Sequence, residues 1–522
     1  MRKYICEGLA TYLAKEYRPW HMPGHKRKNF GDELLGEADM DMAAFSSLDG
    51  WDLTIDTGIR LVESFDVTEL PGTDDLHHPE DMILKSQRQL SEIYGTLASY
   101  YMVNGSTGGI LAAIGAVASG DRKLVTDENL PVSDTGKKRI IIARNCHKSV
   151  YNACEIFGLE PIYIEPEYLK LIEIDNVKRD IEPNNSYIYG DIKPLAIKKL
   201  LEANPDVVAV VITSPTYEGV ISDVEGIKKI LEHYNIPLIV DEAHGAHLPF
   251  IDELPKSAIS LGADIVVQSL HKTLPSLTQT AILHVNNGEL DDKVRKYLSM
   301  FMSSSPSYVM LCSMERAVVN SWERKTSGQG YREYLNNLKA FREKVSALKN
   351  IKLVGSSKDL EQGEGKSETE NYYAYDETRI VLYTKITGES LAEMLRDLGE
   401  IEVEMSGTNY VVLISTYKDT FKDIDRLRIV LSVIDEKISW ADMLEEERMR
   451  KSQSSGKNSF SRKDLDKLVG TVAENNIYVY PPGSYIVAAG EVISQSAVDK
   501  IMELKESGKN IVGLEGVYGA SI

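Results

Sequence analysis

Ser269-Leu-His-Lys-Thr273 places a lysine, Lys272, directly after the apolar run Asp264–Gln268. An earlier apolar run, Pro237–Val240, leads into Asp241-Glu-Ala-His244. A lysine at one strand end can hold an aldehyde as a Schiff base. An aspartate at a neighbouring strand end can keep a pyridine nitrogen protonated, which turns the ring into an electron sink. Pyridoxal phosphate chemistry needs that pair. Neither residue is decisive alone. Without Lys272, Asp241 reads equally well as a carboxylate paired with an arginine or as a magnesium ligand.

Further polar signals fall in the same part of the chain. Asn104-Gly-Ser-Thr-Gly-Gly109 joins a strand to a helix. Small residues there let backbone N–H groups approach a phosphate, and the hydroxyls of Ser106 and Thr107 add donors. An ordinary Ser/Thr helix cap is the plainer reading. Ala143-Arg-Asn-Cys-His-Lys148 follows another strand, and His147 there could stack on an aromatic ring. Taken singly, His147, His244 and His271 read as surface or capping residues. Yet they, with His247, cluster at strand ends of one core. Thr213-Ser-Pro-Thr-Tyr-Glu-Gly219 closes a strand with a turn whose hydroxyls could meet a cofactor or substrate, and a plain turn is an equal reading. Cys146 reads as a small buried side chain.

The elements that must position these residues alternate. Strands are expected at 97–103, 139–143, 161–165, 206–213, 237–240, 264–268 and 280–285, with helices at 108–118, 149–157 and 224–234. Short, fully apolar strands alternating with helices predict an α/β fold, a mostly parallel sheet covered on both faces. Ligands of such sheets bind at the carboxyl ends of the strands, where the polar signals lie. The chain divides into an N-terminal arm and substrate-access segment (1–80), a large cofactor domain (81–325), a small domain reading β-α-β-β-α (326–445), a charged Ser-rich linker (446–463) and a C-terminal unit (464–522). In the small domain, strands are expected at 379–383, 401–405 and 410–415. Residues 126–138 and 166–185 read as surface excursions.

At 522 residues the chain is long enough for two or three domains with a large core. Its net charge of −20 argues against a nucleic-acid binder. The four cysteines show neither a CxxC pair nor metal-ligand spacing, so no metal is expected and the thiols read as reduced and cytosolic. No run of 18 apolar residues or secretory leader is visible, so a cytoplasmic protein with no membrane partner is expected.

In their order these motifs resemble the ornithine/lysine/arginine decarboxylases, pyridoxal-phosphate enzymes of fold type I, in the short bacterial form without an N-terminal wing domain. The resemblance begins at His21-Met-Pro-Gly-His-Lys26 and Asp66-Val-Thr-Glu-Leu-Pro-Gly-Thr-Asp-Asp-Leu-His77. It runs through the segments above to Ser303-Ser-Ser-Pro-Ser-Tyr308 and Tyr480-Pro-Pro-Gly483. It implies an aspartate-aminotransferase-like large domain with a seven-stranded type of sheet, and smaller α+β domains toward the C-terminus. It assigns Lys272 to the internal aldimine, Asp241 to the pyridine nitrogen and His147 to the ring face. Ser106, Thr107, Gly108, Ser269 and His271 would surround the phosphate, and His244 would lie beside the cofactor. It also implies decarboxylation of a basic amino acid, and a homodimer or larger assembly with Ser303–Tyr308 near the interface.

Departures lie at 31–56, at the two excursions, after Tyr480-Pro-Pro-Gly483, and at Gly513–Tyr518. They bear on the substrate more than on the chemistry. An aminotransferase or lyase needs the same lysine and aspartate, and a non-catalytic homologue is a third reading. Arginine or lysine is the expected substrate. Glu218, Glu404 and the acids of 66–81 are candidates for its cationic end, undistinguished by spacing.

Overall fold

The computed structural model describes residues 1–13, 59, 62–63, 66–119, 137–171, 187–328, 330–355, 372–384, 386–438, 462–479, 484–506 and 511–514. His21–Lys26, the 31–56 departure, Tyr480–Gly483 and Tyr518 lie outside them.

Seven strands form the central sheet: β1 (Ala98–Met102), β2 (Arg139–Ala143), β3 (Glu160–Ile164), β4 (Val207–Thr213), β5 (Leu238–Asp241), β6 (Ile265–Ser269) and β7 (Ala281–Val285). Their order is β1-β7-β6-β5-β4-β2-β3. The pairs β6-β5, β5-β4, β4-β2 and β2-β3 are parallel, while β7 runs antiparallel to both β1 and β6. The mostly parallel α/β sheet expected from the sequence is therefore present.

The strand sequences explain it. Val-Val-Ala-Val-Val-Ile-Thr in β4 is β-branched almost throughout and buried on both faces. Such runs suit a sheet covered on both sides. Side chains alternate between two cores: Ile141 and Val240 face one, Ile142 and Ile239 the other. Helix Gly105–Ala118 lies against the second core. A Cβ on its Gly109 would sit 2.8 Å from Val267, so glycine permits the close approach to β6.

A second sheet is antiparallel, ordered Ile351–Leu353, Arg379–Thr384, Tyr410–Ile414, Met405–Ser406, and is packed by helices Arg332–Val345, Gly388–Gly399 and Phe421–Lys437. The strand expected at 401–405 shrinks to Met405–Ser406. Two differences follow from weak local signals. The 166–185 excursion contains strand Tyr168–Lys170, which pairs with Tyr187–Tyr189. Helices Tyr4–Leu13, Met82–Tyr94 and Tyr308–Thr326, not foreseen, converge on the fully buried Glu315. Its carboxylate accepts from Ile5 N–H at 3.0 Å and Ser86 Oγ at 2.7 Å. A three-stranded sheet of Ser484–Val487, Ile477–Val479 and Ile511–Val512 packs with helix Gln495–Glu506.

One short pairing positions the site. Ala374–Tyr375 pairs with Val220–Ile221, just beyond β4. Asp376 N–H then donates to Gly219 O at 2.9 Å. This brings Asp376, Thr378 and Arg379 to the carboxyl ends of β4 and β5. No described helix is long and apolar enough to cross a membrane.

Candidate active site

Lys272 and Asp241 meet where the sheet predicts a ligand. β6 ends at Ser269, and the four-residue helix Leu270–Thr273 lifts Lys272 over the strand ends. Asp241 is the last residue of β5 and is almost fully buried. Burial pushes its carboxyl up, while the charge of Lys272 pulls it back down. Burial likewise lowers Lys272; Asp241 and Glu404 oppose this and Arg379 adds to it. A pyridinium nitrogen beside Asp241 would supply the counter-charge that this desolvated carboxylate favours.

His147 caps helix Lys148–Phe157, its Nδ1 accepting from Ser149 N–H at 3.2 Å and lying 2.8 Å from Ser149 Oγ. Burial lowers it to about 4, helped by Lys272 and Lys148, so its ring is neutral at pH 7. The adjacent Cys146 is fully buried and its thiol is pushed up by burial, as suits an unreactive side chain.

Helix Gly105–Ala118 opens differently. Asn104 makes no side-chain capping bond. Its first N–H groups thus lack the usual side-chain oxygen, and an anion is the natural substitute. Ser269 Oγ donates to Ser106 Oγ at 2.9 Å, which sets two hydroxyls at this helix end. His271 Nδ1–H donates to Thr280 O at 3.0 Å, which fixes its ring orientation. Gly108 is buried and Thr107 exposed on the same turn. These features fit a phosphate, and together with Lys272 and Asp241 they fit pyridoxal phosphate.

His244 joins Lys272 to a residue that sequence reasoning missed. His244 Nε2 lies 3.1 Å from Lys272 Nζ, and His244 Nδ1 lies 3.0 Å from Arg379 Nη2. Arg379 Nη2 also donates to His244 O at 3.1 Å. Arg379 is fully buried, with Nε and Nη1 bonded to nothing among the described residues. Its signal in the sequence is a charge opening an otherwise apolar strand.

The candidate acids separate. Asp74 accepts from the N–H groups of Glu80, Asp81 and Ile83 at 2.9–3.0 Å, so it organises its own loop. Glu218 is buried and raised to about 7, chiefly by burial. Glu404 is exposed and accepts from Tyr217 OH, and the Tyr217 ring packs edge-on against His244 at 4.8 Å. Segment Ser303–Tyr308 meets the 66–81 region: His77 Nε2 donates to Ser303 O at 2.9 Å, and Tyr308 OH donates to Asp74 O.

Comparison with known proteins bears on the family and the fold. The profile described as Orn/Lys/Arg decarboxylase, major domain, matches residues 5–423. A Bacillus subtilis (strain 168) protein named arginine decarboxylase is 29% identical over 533 aligned residues, 98% of this chain and 95% of that one. The Escherichia coli (strain K12) constitutive lysine decarboxylase is 24% identical over 323 residues, 60% of this chain and 39% of that one. The solved Francisella novicida lysine decarboxylase LdcF shares the fold, with a TM-score of 0.71 at 18% identity over 98% of this chain and 79% of that one. A profile match across most of the chain and a relative aligned nearly end to end lead to one conclusion: this chain belongs to the Orn/Lys/Arg decarboxylase family.

Proposed function

We propose that this protein decarboxylates arginine, using pyridoxal phosphate held at Lys272. The observation that carries the reading is the half-buried Lys272 set over the strand ends with Asp241 at the end of the adjacent strand. Bound there, pyridoxal phosphate supplies the sink for the electron pair left when the Cα–carboxylate bond breaks.

The chain's own residues do the rest. Asp241 would hold a proton on the ring nitrogen, and its burial makes that contact strong. His147 would cover one ring face, Ser106, Thr107, Ser269 and His271 would hold the phosphate, with Gly108 beside them, and His244 would lie at the ring edge. Fixing the phosphate fixes the ring, so the scissile bond can be held perpendicular to it. A proton must then return to Cα. His147, held near pH 4, is a poor acid at neutral pH, so Lys272 is the better donor.

Arginine is favoured because relatives aligned nearly end to end carry the name arginine decarboxylase, whereas those named for lysine align over about 60% of the chain. Glu404 suits its guanidinium: it is an exposed carboxylate joined through Tyr217 and His244 to Lys272. A planar guanidinium matches a carboxylate in bidentate fashion. A homodimer in the cytoplasm completes the proposal.

The test is CO2 release from arginine, lysine and ornithine by the holoenzyme. Release from arginine with loss of at least ~1,000-fold in Lys272→Ala is expected. Keto-acid formation without CO2 would overturn the reading. Glu404→Gln should raise KM for arginine by about 10-fold, the loss of one charge-assisted contact. An unchanged KM would remove Glu404 from the substrate site.

A further inference from the structure

Arg379, His244 and Lys272 form a chain of two hydrogen bonds whose directions follow from chemistry. A guanidinium carries donors only and keeps its proton throughout the accessible pH range. The 3.0 Å contact between Arg379 Nη2 and His244 Nδ1 therefore makes Nδ1 the acceptor. A neutral imidazole with Nδ1 accepting carries its proton on Nε2. That atom lies 3.1 Å from Lys272 Nζ. An ammonium has three donors and no lone pair, so it cannot accept this proton; a neutral amine can.

We propose that Arg379 is a positioning residue that fixes the tautomer of His244, so that His244 Nε2–H is donated to Lys272 and holds it as a free amine. The free amine is the form that attacks an aldehyde, so the relay acts on the step that loads Lys272.

Two further observations support a role for Arg379 beyond packing. It is fully buried, and Nε and Nη1 find no partner among the described residues. A guanidinium so placed is costly in a core. The nitrogen that is satisfied, Nη2, goes to the histidine and to its carbonyl. The strand pair Ala374–Tyr375 with Val220–Ile221 anchors the turn that delivers it.

Other charged groups surround Lys272. Asp241 and Glu404 favour its ammonium form, and Arg379 disfavours it through its charge alone. His147 and His271 also feel the charge of Lys272, and both are pushed toward neutrality by burial. The relay must therefore be separated from the plain repulsion between Arg379 and Lys272.

The inference rests on the proposed role of Lys272, but its test needs neither substrate nor turnover. Full-length protein freed of cofactor is reductively methylated with formaldehyde and cyanoborohydride across a pH series, and modification of Lys272 is quantified by peptide mass spectrometry. In the parent protein the midpoint should lie below that of surface lysines, near 10.4. Arg379→Met and His244→Phe should each raise it by about one unit, a ~10-fold loss of free amine at a given pH. Arg379→Lys, which keeps a donor and the charge, should restore part of the shift.

The double variant should shift no further than either single one, because both break the same relay. An unchanged midpoint in Arg379→Met overturns the proposal. So does an Arg379→Met shift that persists in full on the His244→Phe background, which would show repulsion acting directly. If instead the midpoints behave as expected but pyridoxal phosphate fails to condense with Lys272, the relay stands and the proposed function falls.

Discussion

His244 and His247 stand three residues apart in one turn after β5, and both are buried, at 6% and 5% exposure. Each reaches across to the turn Asp376–Arg379, yet they meet opposite partners. His244 meets the guanidinium of Arg379 at 3.0 Å. His247 Nε2 lies 3.2 Å from Asp376 Oδ2 and 3.2 Å from Thr378 Oγ1. Burial drives His244 well below its ordinary value, and Lys272 and Arg379 drive it further. Burial also works against ionisation of Asp376, but His247 and Arg379 outweigh it and hold that carboxyl down near 2. The same side chain at the same depth thus serves two ends. One histidine is a neutral donor aimed at the reactive lysine. The other is half of a buried pair that fastens the turn after β5 to the turn Asp376–Arg379.

The contrast is sharpest when each partner is removed. Asp376→Asn leaves His247 and Arg379 without their carboxylate and should cost ~3 kcal/mol of stability. Differential scanning calorimetry should show a lower melting temperature; an unchanged one would mean that the pair fastens nothing. His244→Phe should lower kcat by ~100-fold while lowering the melting temperature less than Asp376→Asn does, because Arg379 Nη2 keeps the His244 carbonyl. Equal loss of stability in both variants would erase the distinction.

Acid should separate them more gently. Asp376 has a folded value near 2, below its unfolded value of about 4. Its contribution to stability is therefore complete above pH ~4 and lost as pH falls toward 2. His244, lowered from its ordinary range near 6.5, loses its contribution as pH falls below that range. Melting temperatures between pH 6 and 3 should fall less steeply in His244→Phe, and parallel curves would contradict the assignment.

Glu218 gives the smallest effect and the opposite sign. Its folded value is raised to about 7, so its contribution is present below the unfolded value and is lost as pH rises through 7. Glu218→Gln should stabilise by ~1 kcal/mol at pH 8 relative to pH 5, as read from thermal melts. Stabilisation confined to pH 5 would refute the burial argument.

The sequence made the strand ends readable and the contacts across them unreadable. β5 and β6 carry the apolar runs Leu238–Val240 and Ile265–Val267, so their ends, and with them Asp241 and Lys272, could be placed by local pattern alone. Asn104–Gly109 and Ala143–Lys148 each read alone as an ordinary turn or helix cap, and only their order beside Asp241 and Lys272 pointed to a cofactor. Arg379 was read only as the first residue of a strand. Its bond to His244 spans 135 residues, and no periodicity reports on such a distance. The short strand Tyr168–Lys170 was missed for a related reason: three residues cannot establish an alternation, and the pairing with Tyr187–Tyr189 is what creates it.

The pairing of Ala374–Tyr375 with Val220–Ile221 also has a consequence for biosynthesis. The turn Asn104–Gly109, Asp241 and Lys272 leave the ribosome long before residue 374 does. Domains fold as units during translation, N-terminal parts first. The nascent large sheet can therefore assemble with its lysine and aspartate in place while His244 still lacks Arg379 and His247 still lacks Asp376. Until the later segment is threaded beside the end of β4, the emerging polypeptide carries a half-built centre.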